Sequence, residues 1–82
     1  MDVILSHNAW KQYDHLPKSD QGKIRKKLVI LENDPTAGKK LMGEYKGIRS
    51  LRVWPYRVLY EINIGKKRVE VLVITHRQGA YQ

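Results

Sequence analysis

The sequence predicts an α+β domain: a short N-terminal strand, then two helices packed on an antiparallel meander sheet of three strands. Between residues 9 and 31 the apolar residues recur with the period of a helix, whereas from Ile48 they alternate as in strands that bury one face. The 82 residues suffice for one hydrophobic core but not two, so we expect a single domain over residues 1–82.

The first elements follow from apolar spacing and capping residues. Residues 3–5 form a short apolar run that predicts a strand, and Ser6 or Asn8 can cap the following helix by accepting hydrogen bonds from its free amides. One face of this helix carries three residues at helical spacing: Ala9, Tyr13 and Leu16. Pro17 ends the helix, because the residue before a proline disfavours helical dihedrals.

The second helix is expected to open at Ser19, with Asp20 near its positive end, and to stop at residues 33–35. Its apolar stripe is Ile24, Leu28 and Leu31, and the basic residues between them are Lys23, Arg25, Lys26 and Lys27. A basic helix after a short one could also read DNA as a helix–turn–helix, but the third helix would fall in a strand-like segment. We therefore expect this helix to pack on the sheet and hold its lysines in water.

The meander follows a glycine-containing loop over residues 36–46. Alternation predicts two strands, over residues 48–54 and 56–64, and a third strand over residues 69–75 is rich in Val, Leu and Ile on both faces, as suits a central strand. If Val58 and Tyr60 face the helices, Arg57 must face the other way, and Arg52 can join it across the turn. The sheet would then have one apolar face and one face that carries arginines.

The charge of the chain is strongly positive. Sixteen Lys and Arg against eight Asp and Glu give a net charge of +8, which attracts polyanions such as RNA. The chain has no cysteine, which excludes a disulfide framework and a thiolate zinc site. No segment approaches the ~20 apolar residues of a membrane span, so we expect a cytoplasmic protein with no membrane partner.

Side chains suited to bind phosphate and bases occur in two places, around the predicted arginine face and at the C-terminus. At the C-terminus His76, Arg77 and Tyr81 bring an imidazole, a guanidinium and a phenol to one edge. The planar fork of arginine binds phosphate with two parallel hydrogen bonds, and aromatic side chains beside such cations can stack on unpaired bases. Other readings stay open. The strand arginines could be surface charges paired with Glu61, His76 a solvated residue, and Trp54 a plug of the turn.

Two segments resemble RelE/ParE-type toxins. Residues 47–60 read GIRSLRVWPYRVLY, which is similar to the strand–turn–strand signature of that family, and the ending His76-Arg77-x-x-x-Tyr81 resembles the close of many RelE-like members. The upstream order also fits, with a strand, two helices, a stop at Asp34-Pro35 and a loop. The resemblance covers nearly the whole chain.

The resemblance implies a RelE-like fold and a toxin of a type II toxin–antitoxin system, held inactive by a cognate antitoxin. RelE-like toxins enter the ribosomal A site and cleave mRNA by attack of a ribose 2′-hydroxyl on the adjacent phosphate, which inhibits translation. Such a reaction needs a proton acceptor, cations for the charge on the phosphate and a proton donor for the leaving oxygen. We expect no metal and no small-molecule cofactor, and the expected partners are the antitoxin, the ribosome and mRNA.

The resemblance also implies roles for individual residues. By matching position, Arg57 and Arg77 would stabilise the phosphate, and Tyr81 would act as base or stacking residue. An ordinary tyrosine has a pKa near ~10 and an ordinary histidine near ~6.5, so His76 is the easier proton carrier on chemistry alone. The residues expected to bind RNA are Lys46, Arg49, Arg52 and Trp54.

One position departs from the family. Well-studied RelE members carry a lysine or arginine where this chain has Ser50, and Arg49, one residue earlier, faces the opposite way. Lys46 could reach the site from the loop instead. This departure leaves the rate of cleavage open.

Two other functions are compatible with the same residues. A ParE-like inhibitor of DNA gyrase shares the fold and does no chemistry, but such chains generally lack the closing arrangement that Arg77 and Tyr81 supply here. A non-catalytic module would bind RNA through the basic face without cutting it.

Overall fold

The computed structural model describes residues 1–76. In chain order the elements are β1 (Asp2–Leu5), α1 (His7–Asp14), α2 (Lys18–Asn33), β2 (Lys39–Lys40), a 3₁₀ turn (Gly43–Tyr45), β3 (Arg49–Val53), β4 (Tyr56–Asn63) and β5 (Arg68–His76). The predicted α+β fold, with two helices packed on a sheet, is confirmed. The structure adds β2, which the sequence analysis assigned to a loop because two lysines carry no apolar alternation.

The sheet has five strands in the order β1-β5-β4-β3-β2. β2 to β5 pair antiparallel along the predicted meander, whereas β1 pairs parallel with β5 at the opposite edge. A parallel pair requires a long crossover connection, and here both helices and strands β2 to β4 lie between β1 and β5. The sheet is therefore mixed rather than purely antiparallel.

The two helices begin differently. The hydroxyl of Ser6 accepts from the amide of Ala9 at 3.1 Å and caps α1, as predicted. The N-cap of α2 is Pro17, which makes no side-chain capping bond, so Ser19 lies inside the first turn instead of opening the helix. α2 ends at Asn33, as predicted. Within residues 1–76 no helix has the length and apolarity needed to cross a membrane.

The core lies between the helices and one face of the sheet. Its fully buried side chains are Ala9, Ile24, Leu31, Val58, Tyr60, Val69 and Val71. Tyr60, the largest of them, donates its hydroxyl to the carbonyl of Pro35 at 2.6 Å and accepts from the amide of Gly38 at 2.8 Å. A Cβ on Gly38 would lie 2.6 Å from the same oxygen, so the loop after α2 is held against the sheet at a position that requires glycine.

β5 continues beyond the end of β1, and a bulge at Leu72 shifts its register with β4. Ser6 donates its amide to the carbonyl of Val71 at 2.9 Å and its hydroxyl to the carbonyl of Leu72 at 2.8 Å. The amide of Ile74 donates to Oε1 of Gln12 at 2.8 Å. Ser6 and Gln12 therefore satisfy three backbone groups of β5 near and beyond the end of β1.

Candidate functional site

Strand register divides the predicted site residues between the two faces of the sheet. The face packed on the helices, here the helix face, includes Arg49, Leu51, Val53, Tyr56, Val58, Tyr60 and His76. The opposite face, here the open face, includes Ser50, Arg52, Arg57, Leu59, Glu61, Val73 and Thr75. The predicted division of β4, with Val58 towards the helices and Arg57 away from them, is confirmed.

Arg52 and Arg57 lie directly opposite each other on the open face, and Thr75 follows in the same row on β5. Like charges in directly opposite positions destabilise a sheet. Both ion pairs within the described residues lie elsewhere: Lys23–Asp20 and Arg68–Glu70. The alternative that Glu61 neutralises these arginines is therefore wrong. Two arginines on opposite strands, neither of them in an ion pair within residues 1–76, are suited to bind an anion such as phosphate.

Trp54 lies in the β3–β4 turn, joined to Pro55 by a cis peptide bond. Its side chain is 55% exposed, and the guanidinium carbon of Arg52 is 5.4 Å from the centroid of its ring. A residue that plugged the turn would be buried, so the alternative of a plug does not fit. Trp54 instead presents an aromatic surface beside a cation, an arrangement on which unpaired bases can stack.

Arg49 is held by the loop after α2. Its Nη1 donates to the carbonyl of Gly38 at 2.9 Å and, more weakly, to that of Thr36 at 3.4 Å. It lies on the helix face, opposite to Arg52 and Arg57, as the alternation of the strand predicted. The contacts give Arg49 a structural role, and its binding of RNA stays a prediction.

Lys46 follows the 3₁₀ turn and is exposed. With Lys40 and Arg49 it lines a cavity of about 460 Å³ whose other residues are mostly apolar or glycine. Its position on this loop leaves its predicted role in RNA binding open.

His76 ends β5 on the helix face. It pairs with Tyr56, and the two rings meet edge to face with centroids 5.6 Å apart. The Tyr56 hydroxyl donates to Oδ2 of Asp20 at 2.7 Å; this hydrogen bond, then burial and the charge of Asp20, raise the pKa of Tyr56. Tyr56 therefore keeps its proton at neutral pH. His76 reaches the same end of the sheet as Arg57, but on the other face, and Arg77 and Tyr81 lie outside the described residues.

A cation that the sequence did not predict lies opposite Ser50, the position that differs from the family. Lys39 of β2 is the direct cross-strand partner of Ser50 on the open face, and it is exposed. Ser50 is only 6% exposed, and its hydroxyl has no hydrogen-bond partner among the described residues. The neighbouring strand thus brings a positive charge to the position where the resemblance placed one. Lys39 and Lys40 lie in a glycine-containing loop segment without apolar alternation, so no signal in the sequence indicated that Lys39 pairs with Ser50.

The described part of the chain contains no group of three His, Asp or Glu side chains that could hold a metal ion. The open face itself carries cations, hydroxyl groups and the carboxylate of Glu61. Arginine and lysine side chains can bind an anion there, with an aromatic ring at one end of the row.

The fold is that of the RelE/ParE toxins, as comparison with known proteins shows. Residues 3–81 match the family described as "ParE toxin of type II toxin-antitoxin system, parDE", and the chain belongs to this family within the RelE/ParE toxins. Toxin RelE of Mycobacterium tuberculosis is 38% identical over 53 residues, which are 65% of this chain. They cover 55% of that relative, so the chain matches about half its length.

Solved structures show the same fold. The RelBE2 toxin–antitoxin complex from Mycobacterium tuberculosis has a TM-score of 0.85 and 28% identity, covering 93% of this chain and 96% of that one. The archaeal RelE–RelB complex from Pyrococcus horikoshii has a TM-score of 0.80 and 26% identity, covering 96% and 97%. The isolated RelE toxin of E. coli, at 23% identity, has a TM-score of 0.80 over 92% of this chain and 82% of that one.

Proposed function

We propose that this toxin is a ribosome-dependent endoribonuclease that cleaves mRNA in the ribosomal A site. The observation that carries the proposal is the Arg52–Arg57 pair, two like charges directly opposite on the open face, neither of which forms an ion pair within residues 1–76. An RNA phosphate would offset their repulsion with charge-assisted hydrogen bonds. The match to a relative named Toxin RelE supports this activity over a purely protein-binding one.

In the proposed reaction the ribose 2′-oxygen attacks the adjacent phosphorus and the bond to the 5′-oxygen breaks. The 2′-hydroxyl proton passes to a base, and the leaving 5′-oxygen takes up a proton. Arg57 and Arg77 stabilise the charge on the phosphate, and Arg52 holds the RNA.

Proton acceptance is assigned to Tyr81 rather than His76. The His76 ring packs edge-on against Tyr56 on the helix face, whereas Arg57 lies on the open face. Tyr81 is favoured instead by the resemblance, which gives the C-terminal tyrosine a role as base or stacking residue. His76 would then help to place the end of β5.

A cognate antitoxin is the proposed protein partner. An apolar groove of about 330 Å³ beside β1 is lined by Val3, Leu5, Trp10, Arg25, Leu28, Val29 and Glu32. Trp10 is 52% and Val29 53% exposed, so the groove offers apolar surface to a partner. The apolar side of an amphipathic segment would fit this groove, and its acidic residues would complement the net charge of +8. Two of the solved relatives are themselves toxin–antitoxin complexes.

The proposal is tested by translating a defined mRNA in a cell-free system with the purified chain and mapping new 5′ ends by primer extension. We expect cuts that require ribosomes, are lost in Arg77→Ala and persist in the surface control Lys11→Ala. Cuts on naked RNA, or none with normal translation, would contradict it.

The second candidate is a ParE-like inhibitor of DNA gyrase, which the description of the matching family favours. This function needs a binding surface for gyrase and no proton transfer. A supercoiling assay distinguishes the two functions. Inhibited supercoiling together with intact mRNA would replace the proposed endoribonuclease by the gyrase inhibitor.

A further inference from the structure

A second basic surface lies beside the open face, in an open groove of about 590 Å³ between α2 and the end of β3. The residues that line it are Lys23, Lys26, Lys27, Arg52, Val53 and Trp54, and none of these is acidic. The three lysines lie at i, i+3 and i+4 on α2, so they share one side of the helix and point their ammonium groups to one region. The groove therefore concentrates four cations around one exposed aromatic ring.

Most of this charge is not neutralised by neighbouring carboxylates. The Lys23 ammonium is 3.8 Å from Asp20, which also accepts the hydroxyl of Tyr56, so its pairing is long and shared. The ion pairs of residues 1–76 do not include Lys26 or Lys27. Lysine ammonium groups outside ion pairs bind the phosphates of a nucleic acid, with release of counterions.

Arg52 connects this groove with the candidate site. It lies opposite Arg57 on the sheet, lines the groove, and holds its guanidinium 5.4 Å from the centroid of the Trp54 ring. A chain of phosphates that crosses Arg57 would thus pass Arg52 and reach the lysines of α2. The site and the groove therefore share Arg52.

We propose that this groove binds an unpaired stretch of the RNA next to the cleaved bond, with a base stacked on Trp54 and phosphates at Lys26 and Lys27. The proposal rests on the proposed endoribonuclease function and extends its site. RNA is favoured over an acidic peptide because Val53 is only 4% exposed, which leaves Trp54 as the sole sizeable apolar surface of the lining. A docked peptide helix needs a longer apolar strip.

The experiment measures RNA binding without cleavage. In Trp10→Phe, Trp54 is the one tryptophan of the chain, and its fluorescence is followed during titration with a single-stranded, 2′-O-methylated oligouridylate, which cannot be cut. We expect quenching, and at least a roughly tenfold weaker affinity with a smaller salt dependence when Lys26→Ala and Lys27→Ala are added. The matched control Lys11→Ala with Lys66→Ala removes equal charge elsewhere and should leave the affinity within about twofold.

Stacking is tested separately with labelled RNA and fluorescence anisotropy. Trp54→Ala should weaken binding by roughly fivefold or more, because base–aromatic stacking contributes about 1–3 kcal/mol per base. Tripolyphosphate, which carries charge without bases, should not quench Trp54 as RNA does. Equal quenching by tripolyphosphate, or tighter binding of a polyglutamate peptide than of RNA, would overturn the proposal.

The outcome is independent of the proposed function. Groove-dependent RNA binding by a chain that leaves mRNA intact on ribosomes would retain the groove and reject the endoribonuclease. Ribosome-dependent cleavage, together with unchanged RNA affinity in the Lys26→Ala, Lys27→Ala variant, would retain the endoribonuclease and reject the groove.

Discussion

The two faces of the sheet use similar polar residues in opposite ways. On the helix face each such group has a partner: Tyr60 bonds to Pro35 and Gly38, Tyr56 to Asp20, and Arg49 to the loop carbonyls. On the open face Arg52 and Arg57 repel each other. The helix face thus joins loop, helix and sheet, whereas Arg52 and Arg57 on the open face are outside the ion pairs of residues 1–76 and can bind an external anion. Substitutions of polar groups on the helix face should lower stability, whereas substitutions of cations on the open face should lower activity.

The largest effect is expected for Arg57→Ala on the open face. Loss of a cation that stabilises a developing charge should lower ribosome-dependent cleavage by about 100-fold, without lowering the free energy of unfolding. Arg68→Ala is the matched control, because Arg68 is an arginine whose charge is already paired with Glu70 at 2.7 Å. Rates are compared by primer extension and folding by circular dichroism. An equal loss of cleavage in Arg57→Ala and Arg68→Ala would show that Arg57 has no particular role in the reaction.

On the helix face, Tyr60→Phe should reduce the free energy of unfolding by about 2 kcal/mol, because the Gly38 amide and the Pro35 carbonyl lose their partner. Urea denaturation at neutral pH measures this loss. Cleavage by the folded fraction should stay near that of the unmodified chain. A stable variant with little activity would show that this face serves the reaction directly.

A third prediction separates two consecutive lysines. Lys39 lies opposite Ser50 on the open face and Lys40 opposite Arg49 on the helix face. We expect Lys39→Ala to slow cleavage about fivefold, as for an exposed cation that supports the phosphate at a distance. Lys40→Ala should leave the rate unchanged. The same response to both substitutions would mean that β2 contributes only net charge.

The smallest effect is expected for Tyr56→Phe, about 1 kcal/mol of unfolding free energy at neutral pH, since its bond to Asp20 is partly exposed. The folded pKa of Tyr56 is raised above its ordinary 10.0, mainly by that hydrogen bond. Its contribution to stability is therefore complete below pH 10 and is lost as the pH rises through the folded pKa. Denaturation curves of both proteins should differ at neutral pH and converge in strong alkali. A difference in unfolding free energy that stayed constant up to strong alkali would show that the Tyr56 hydroxyl does not cause it.

Much of the open face could be predicted from the sequence. The alternation of Val58 and Tyr60 with Arg57 fixes which side chains leave the core, since a strand has a period of two. The facing of Arg52 follows from the same rule. Local patterns of this kind need no knowledge of distant parts of the chain.

The other features depend on contacts between distant segments. The strand at Lys39 and the groove formed by α2 with Trp54 arise from packing across the fold, so no local period reveals them. Ser19 was expected to open α2, but Pro17 is the N-cap and the helix begins at Lys18, one residue before Ser19. The face of His76 depends on the bulge at Leu72, because one extra residue reverses the direction of every later side chain.

The contacts of Ser6 and Gln12 with β5 also affect the behaviour of the chain in solution. β1 ends at Leu5, and a bare strand edge beyond it would present free amides and carbonyls to the strands of other molecules. Ser6 and Gln12 occupy three of these groups, on Val71, Leu72 and Ile74. The strand that leads to the C-terminal residues of the proposed site is thereby protected from intermolecular strand pairing, the step that begins aggregation.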